Sequence, residues 1–162
     1  MKKTFTFLLF LISCNLVGQG LFVPAEVASD DLKAAFIKSN YKMNIIHSYL
    51  IANYRVASGN PMTKKLGKEK CKYRRQFKPN IVYKMNDCEE GKGSFETVIF
   101  PKAAMNNLKK WVEQIYRTQP MEIKNIWYPG TTEYGPEPRQ EGCYYKILQE
   151  EDRSVIEIWC GS

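Results

Sequence analysis

Apolar and polar residues alternate with a period of two over residues 143–160, at the C-terminal end of the chain. This alternation is typical of β-strands whose two faces differ. A turn at 150–153 sets two cysteines opposite each other and a lysine opposite a glutamate, and a one-residue slip would lose both features. The pattern therefore predicts a hairpin that pairs Cys143 with Cys160, Tyr144 with Trp159, Tyr145 with Ile158, Lys146 with Glu157, Ile147 with Ile156 and Leu148 with Val155.

A helical period occupies the first part of the chain. Apolar residues recur on one face from Leu32 to Tyr54, and others lie on the opposite side. Ser29 is a good N-cap, and acids follow it in the first turn, where the helix dipole favours them. The pattern predicts a helix over 29–57, with residues 39–40 as a candidate break and a stop at the Ser-Gly-Asn-Pro sequence that follows.

The middle of the chain alternates between strand and helix patterns. In chain order they predict a polar linker (62–70), a hairpin (71–78 and 81–88), a strand (95–100), an amphipathic helix between Pro101 and Pro120, a strand (122–128) and a loop (129–142). The order α-βββ-α-βββ predicts an α+β domain. In it, an antiparallel sheet of about six strands, with disulfide-stapled hairpins, carries two helices on one face.

The two halves of this order have a local sequence match. Residues 71–74 and 143–146 both read Cys, any residue, Tyr and a basic residue, and each opens a predicted hairpin. An internal duplication is one interpretation, and a coincidence of four positions is the other.

The first nineteen residues have the pattern of a secretory signal: two lysines, an apolar run and then small residues. Residues 11–14 (Leu-Ile-Ser-Cys) resemble a bacterial lipobox, which would make Cys14 a lipidation site. Ordinary cleavage near Gln19 is the alternative. The predicted organisation is a signal (1–19), a tether (20–28) and one domain (29–162). Its expected location is outside the cytosol: periplasmic, anchored to the outer membrane or extracellular.

Four of the five cysteines lie in the predicted domain. An even number of cysteines in an exported chain is typical of a disulfide framework. Both Cys71 and Cys88, and Cys143 and Cys160, are 17 residues apart, which is the span of a hairpin. We therefore expect one bridge within each hairpin, and the crossed pairings are the alternatives.

Positive charge is concentrated in one segment. Residues 64–78 contain eight basic residues and one acid, interleaved with aromatic side chains. This mixture suits anionic polymers, because cations attract phosphate or sulfate groups and rings stack. On this interpretation Lys72, Arg74 and Arg75 are partner-binding candidates. A solvated edge strand guarded by lysines is the simpler alternative.

The loop at 129–142 is the second candidate binding surface. It is rich in proline and glycine, and its ends are held by a predicted strand and by Cys143. Long loops in compact domains are often functional, and a stiff loop loses little entropy on docking. Tyr134 and Arg139 are its partner-binding candidates, because Tyr and Arg dominate contact energetics. A plain connection between strands is the alternative.

Catalytic chemistry has few candidates. His47 is the single histidine and lies beside the apolar stripe of the first helix, where a structural role is more common than a catalytic one. The sequence has no glycine-rich phosphate loop, nucleophile elbow or metal-type histidine pair. We therefore predict no catalytic residue, no metal site and no cofactor.

The leading hypothesis is an exported, non-enzymatic binding protein of the inhibitor, immunity or envelope-interaction type. Its partner would be a protein or an anionic envelope polymer. Nucleic acid is less favoured, and a membrane would be reached only through a lipid on Cys14. Two alternatives stay open: a small basic hydrolase, nuclease-like, that uses His47 with a carboxylate and Arg or Lys, and a structural envelope lipoprotein.

Overall fold

The structure, a computed structural model, describes residues 20–57, 59, 62–66, 69–86, 94–120, 123–138 and 140–161. In this part of the chain, three helices and eight strands follow one another in the order α1 (Ser29–Lys38), α2 (Ile45–Asn53), β1 (Met62–Leu66), β2 (Glu69–Phe77), β3 (Ile81–Asn86), β4 (Ser94–Pro101), α3 (Met105–Arg117), β5 (Ile126–Trp127), β6 (Glu133–Gly135), β7 (Gly142–Gln149) and β8 (Arg153–Gly161).

The strands form one sheet in the order β1-β2-β3-β4-β8-β7-β6-β5, and all neighbouring strands are antiparallel. The predicted α+β class is confirmed. Two short strands add to the expected set: β1, in what was predicted to be a polar linker, and β6, in the predicted 129–142 loop. The strand predicted over 122–128 is reduced to the two residues of β5.

The C-terminal hairpin has the predicted register. All six predicted pairs are present between β7 and β8, from Cys143 opposite Cys160 to Leu148 opposite Val155. The Cys143–Cys160 disulfide is also present, with a Cα–Cα distance of 4.1 Å. Cys14, Cys88 and the Cys71 side chain lie outside the described residues, as does the signal segment 1–19. The Cys71–Cys88 bridge therefore stays a prediction.

The predicted first helix is two helices. The chain turns between α1 and α2 through Asn40 and Tyr41, whose φ angles are 55° and 61°, so the helix cannot continue there. Asn44 then caps α2, since its Oδ1 accepts a hydrogen bond of 2.7 Å from the backbone N–H of His47. Ser29 is not the N-cap that we predicted. It is the first residue of α1, and its hydroxyl donates to the Gln114 carbonyl at 2.9 Å.

The core lies between the helices and one face of the sheet. The apolar strand side chains on this face that are at most 2% exposed are Phe77, Ile81, Tyr83, Val98, Phe100, Tyr145, Ile147, Ile156 and Ile158. Helix α3 buries a stripe against them, which consists of Leu108, Trp111, Val112 and Ile115. We call the opposite side, where the alternate residues of the central strands lie, the open face.

The predicted tether at 20–28 lies against the domain. Phe22 stacks on Phe100 with a centroid distance of 5.5 Å, and the Tyr54 hydroxyl accepts from the Ala25 N–H at 2.8 Å. Val27 is 5% exposed. These contacts attach the segment to the same core that the helices cover.

Each half of the domain is a helical segment followed by a four-stranded antiparallel meander. The last strands of the two meanders, β4 and β8, pair at the centre of the sheet. The Cys-x-Tyr match does not follow this arrangement: residues 71–74 lie in the second strand of one meander and 143–146 in the third strand of the other. The duplication hypothesis therefore depends on the topology and not on that match.

Candidate functional site

The alternation of β2 separates the three basic candidates of the first hairpin. Lys72 and Arg74 point to the open face, and Arg75 points with Tyr73 toward the helices. In the register between β2 and β3, Lys72 lies opposite Asn86 and Arg74 lies opposite Lys84. The structure thus brings together two of the predicted cations and adds a third, Lys84.

These three cations line a groove of about 600 Å³ on the open face. We call it the basic groove, and its described lining residues are Thr63, Lys72, Tyr73, Arg74, Lys84, Met85, Asn86, Phe95 and Thr97. This set includes no acid. Phe95 is 39% exposed, which is high for a phenylalanine in a central strand. The described lining of the groove therefore combines three cations with an accessible ring.

A second hollow, of about 430 Å³, adjoins the basic groove and shares Arg74 and Lys84 with it. Val82 and Ile99 form its floor, and Asp152 and Arg153 lie at its far end. Arg153 is already paired with Glu150 and Asp152, so it adds little free charge there. The cations Arg74 and Lys84 therefore lie at the end of this hollow that adjoins the basic groove.

An aromatic row extends from the basic groove across the open face. Phe95 lies opposite Trp159, which lies opposite Tyr144. The rings of Tyr144 and Trp159 are stacked, with centroids 5.5 Å apart and planes 5° apart. Gly135 makes room for this arrangement, since a Cβ there would come within 2.6 Å of the Tyr144 ring. The row provides flat apolar surfaces beside the cations.

Arg75 belongs to a separate cluster under α2. Its Nη1 donates to the Tyr73 hydroxyl at 3.2 Å, and that hydroxyl is 3.0 Å from Nε2 of His47. Burial, helped by the positive charge of Arg75, lowers the pKa of His47 below 6.5. The neutral imidazole is therefore favoured, and Arg75 is unsuited to the partner-binding role that we predicted, because its guanidinium is turned inward.

The hydrolase alternative requires a carboxylate beside His47. Among the described residues, no carboxylate forms a hydrogen bond or salt bridge with the His47 ring, whose Nε2 is paired with the Tyr73 hydroxyl. Tyr83 lies between His47 and the carboxylate of Glu96. Its ring is 5.5 Å from the His47 ring, and its hydroxyl donates to Glu96 at 2.7 Å. This arrangement gives no support to a His–carboxylate pair.

The expectation of an exposed loop at 129–142 is wrong at its centre. Tyr134 is 8% exposed and lies in β6, where it packs on Trp127, Tyr116 and Tyr145 at centroid distances of 4.9, 5.6 and 6.1 Å. The Tyr134 ring is therefore part of the core, because three aromatic neighbours enclose it. Arg139 lies outside the described residues.

The rest of the loop folds back on the sheet. The Tyr128 hydroxyl donates to the Pro136 carbonyl, and the Tyr144 hydroxyl donates to the Gln140 carbonyl at 2.7 Å. These bonds hold the segment beside the end of the aromatic row. It is thus a boundary of the open face.

Sequence reasoning missed Lys84, Phe95 and Trp159 as members of the surface. Lys84 and Phe95 lie outside the basic run, and their convergence depends on strand pairing. A register for the first hairpin would have placed Lys84 beside Arg74. The order of the central strands, which brings Phe95 to Trp159, has no local signal.

Comparisons with known proteins give no guide to this surface: no family model, curated protein or solved structure matches the chain.

In the described part of the chain, no group of three or more His, Cys, Asp or Glu residues is placed to hold a metal ion. No helix among the described residues is both long and apolar enough to cross a membrane.

Proposed function

We propose that the protein is an exported, non-enzymatic binding protein that engages an anionic polymer through the basic groove and the adjoining aromatic row. The observation that carries the proposal is the convergence of Lys72, Arg74 and Lys84 beside Phe95, with no acid among the described lining residues. Export itself is inferred from the signal pattern at 1–19.

The Arg74–Lys84 pair supports a binding role through its energetic cost. The two residues are directly opposed on neighbouring strands, and like charges in that position destabilise a sheet. A polyanion would remove this repulsion and release the counterions that it had condensed, which favours association. The aromatic row would add stacking with bases or sugar rings.

The envelope lipoprotein alternative depends on Cys14, outside the described residues, and stays a prediction. The proposed binding function does not depend on it, because a lipid would change where the protein is held and not the groove. The competing hypothesis is that the groove binds a protein with an acidic surface and not an anionic polymer.

We expect the affinity for heparin and for single-stranded DNA to fall steeply with salt. Replacing Lys72, Arg74 and Lys84 with glutamine should reduce the slope of log K against log salt for single-stranded DNA by about 2, because three phosphate contacts are lost. Fluorescence anisotropy with labelled polymers at several salt concentrations measures this slope.

The matched control replaces Lys38, Lys42 and Lys110 with glutamine. These residues are exposed and lie on the helices or between them. The net charge changes by the same amount, so a general field effect would alter both variants equally. Equal salt slopes for the two triple variants would contradict polymer binding at the basic groove. Capture of an acidic protein, with no binding of heparin or single-stranded DNA, would favour a protein partner.

A single substitution should separate binding from stability. Lys84→Glu replaces the repulsion with Arg74 by an attraction, so it should raise the free energy of unfolding by about 0.5 kcal/mol. It should also weaken heparin binding, since it reverses a charge in the groove. Urea unfolding and heparin titration of the same samples test both effects. A variant that loses stability and binding together would show that Lys84 has a structural role instead.

A further inference from the structure

A second cavity lies on the helical side of the sheet, away from the basic groove. It has a volume of about 310 Å³ and is bounded by the end of α1, the start of α2 and the ends of β4, β7 and β8. We call it the Glu96 cavity. Its described lining combines the polar side chains Asn44, Glu96, Gln119 and Tyr145 with apolar side chains and the Cys143–Cys160 bridge.

Glu96 is the carboxylate in a row of β4 that also contains Ser94. It shares the helix-facing side of the strand with Val98 and Phe100, which are fully buried. Its Oε2 accepts the hydrogen bond from Tyr83, and burial raises the pKa of its carboxyl although hydrogen bonds from Tyr83 and Asn44 act in the opposite direction. Among the described lining residues, no Lys, Arg or His offers a countercharge.

Tyr145 contributes another polar group to the same cavity. Its side chain is 1% exposed, and its hydroxyl interacts with the Gln119 amide, another lining residue, without meeting strict hydrogen-bond geometry. The Tyr145 hydroxyl and the Glu96 carboxylate thus place polar groups among apolar side chains, which is the composition of small-ligand sites. The two groups belong to different strands, β4 and β7, and both line the cavity.

The rest of the lining indicates which class of ligand would fit the cavity. The lining includes five apolar side chains: Phe36, Met43, Ile45, Ile46 and Ile158. A neutral or anionic ligand would leave the Glu96 carboxylate without a countercharge. An ammonium group would supply that charge and lie against the Phe36 and Tyr145 rings, whose faces attract cations. The hydrocarbon part of the ligand would lie against the five apolar side chains.

We propose that the Glu96 cavity binds a small organic cation, a primary ammonium group with an apolar substituent, which pairs with Glu96 and accommodates the Tyr145 hydroxyl. This site is independent of the proposed polymer binding, because it lies across the sheet from the basic groove. Failure of one function would leave the other intact.

Stability should report the state of Glu96 without any ligand. The folded protein holds the Glu96 proton more tightly than the unfolded chain does, so the associated stability is present below pH 4.5 and is lost as pH rises through the raised pKa. The melting temperature of the wild type should therefore fall relative to Glu96→Gln over this range. The other titratable groups that face Glu96 are Tyr83 and Tyr145, and His47, which packs on Tyr83, is common to both proteins. If the melting temperatures of the wild type and Glu96→Gln change with pH in parallel, the Glu96 carboxyl is solvated and its pKa is not raised.

The ligand test compares two probes of the same shape, 2-phenylethylammonium and 2-phenylethanol, by isothermal titration of the mature full-length protein at pH 8. We expect saturable binding of the ammonium probe and at least tenfold weaker binding of the alcohol. Glu96→Gln should remove this preference, since it keeps the acceptor for Tyr83 but not the charge. Tyr145→Phe should leave the melting temperature unchanged or higher.

Met43→Trp gives a second way to test the cavity, because it fills the space and keeps Glu96. It should also abolish binding, and circular dichroism of each variant checks that it is folded. The proposal is overturned if neither methyl-, butyl- nor phenylethylammonium saturates the wild type. It is also overturned if Glu96→Gln and Met43→Trp, both folded, bind the ammonium probe as the wild type does.

Discussion

Replacing Trp111 with alanine should lower the free energy of unfolding by about 3–5 kcal/mol. The ring is 1% exposed, and its centroid lies 5.3 Å from Phe100 in β4 and 5.7 Å from Tyr49 in α2. It therefore joins α2, α3 and the sheet. Its removal leaves a cavity that close-packed neighbours fill only in part. Urea unfolding followed by far-ultraviolet circular dichroism measures the change.

Lys110→Ala is the matched control for this prediction. Lys110 precedes Trp111 on the same helix and is exposed, so its loss should change stability by about 0.5 kcal/mol or less. Both substitutions introduce the same good helix former, so helix propensity contributes little to the contrast. A Trp111→Ala cost close to that of the control would mean that α3 is not packed as the structure has it.

Replacing Cys143 and Cys160 together with alanine should cost about 3 kcal/mol, because the bridge closes a loop of 17 residues in the unfolded chain. The hairpin itself should survive. Its register is held by the apolar pairs from Tyr145 to Leu148 and by the alternation of faces, which does not need the bridge. Chemical unfolding at one pH gives the stability difference.

The register can be followed separately in the same variant. Nuclear Overhauser contacts between the stacked rings of Tyr144 and Trp159 should remain when the bridge is absent. Retained ring contacts with a large loss of stability would agree with an effect on the unfolded chain. Loss of the ring contacts would show that the bridge, and not the side-chain pattern, sets the register.

The C-terminal hairpin could be predicted residue by residue because all its constraints are local. The strand period is two, so a slip of one residue would move Tyr145 and Ile147 out of the core and separate the cysteines. The sequence of the first hairpin contains fewer constraints on its register. Apolar and charged residues occur on both of its faces, and this hid the fact that Lys72 and Arg74 lie together while Arg75 turns inward.

Residues 133–135 show why the 129–142 segment was misjudged. Proline and glycine predicted a loop there, but Tyr134 is drawn into a strand by aromatic neighbours on α3, β5 and β7. Strand formation depends on such partners more than on intrinsic preference. No window of the sequence contains them all, so the exposed-loop hypothesis had no local contradiction.

The sequence by itself determined the α+β class and the register of the last hairpin, and that register favoured the Cys143–Cys160 bridge, because periodicity and pair chemistry act between residues that are close along the chain. Only the tertiary structure decided which face of the sheet the helices cover. That choice sets Lys72, Arg74 and Lys84 on the open face and Glu96 beneath α2. It depends on contacts between residues far apart in the chain, such as Trp111 with Phe100, whose energies no local pattern records.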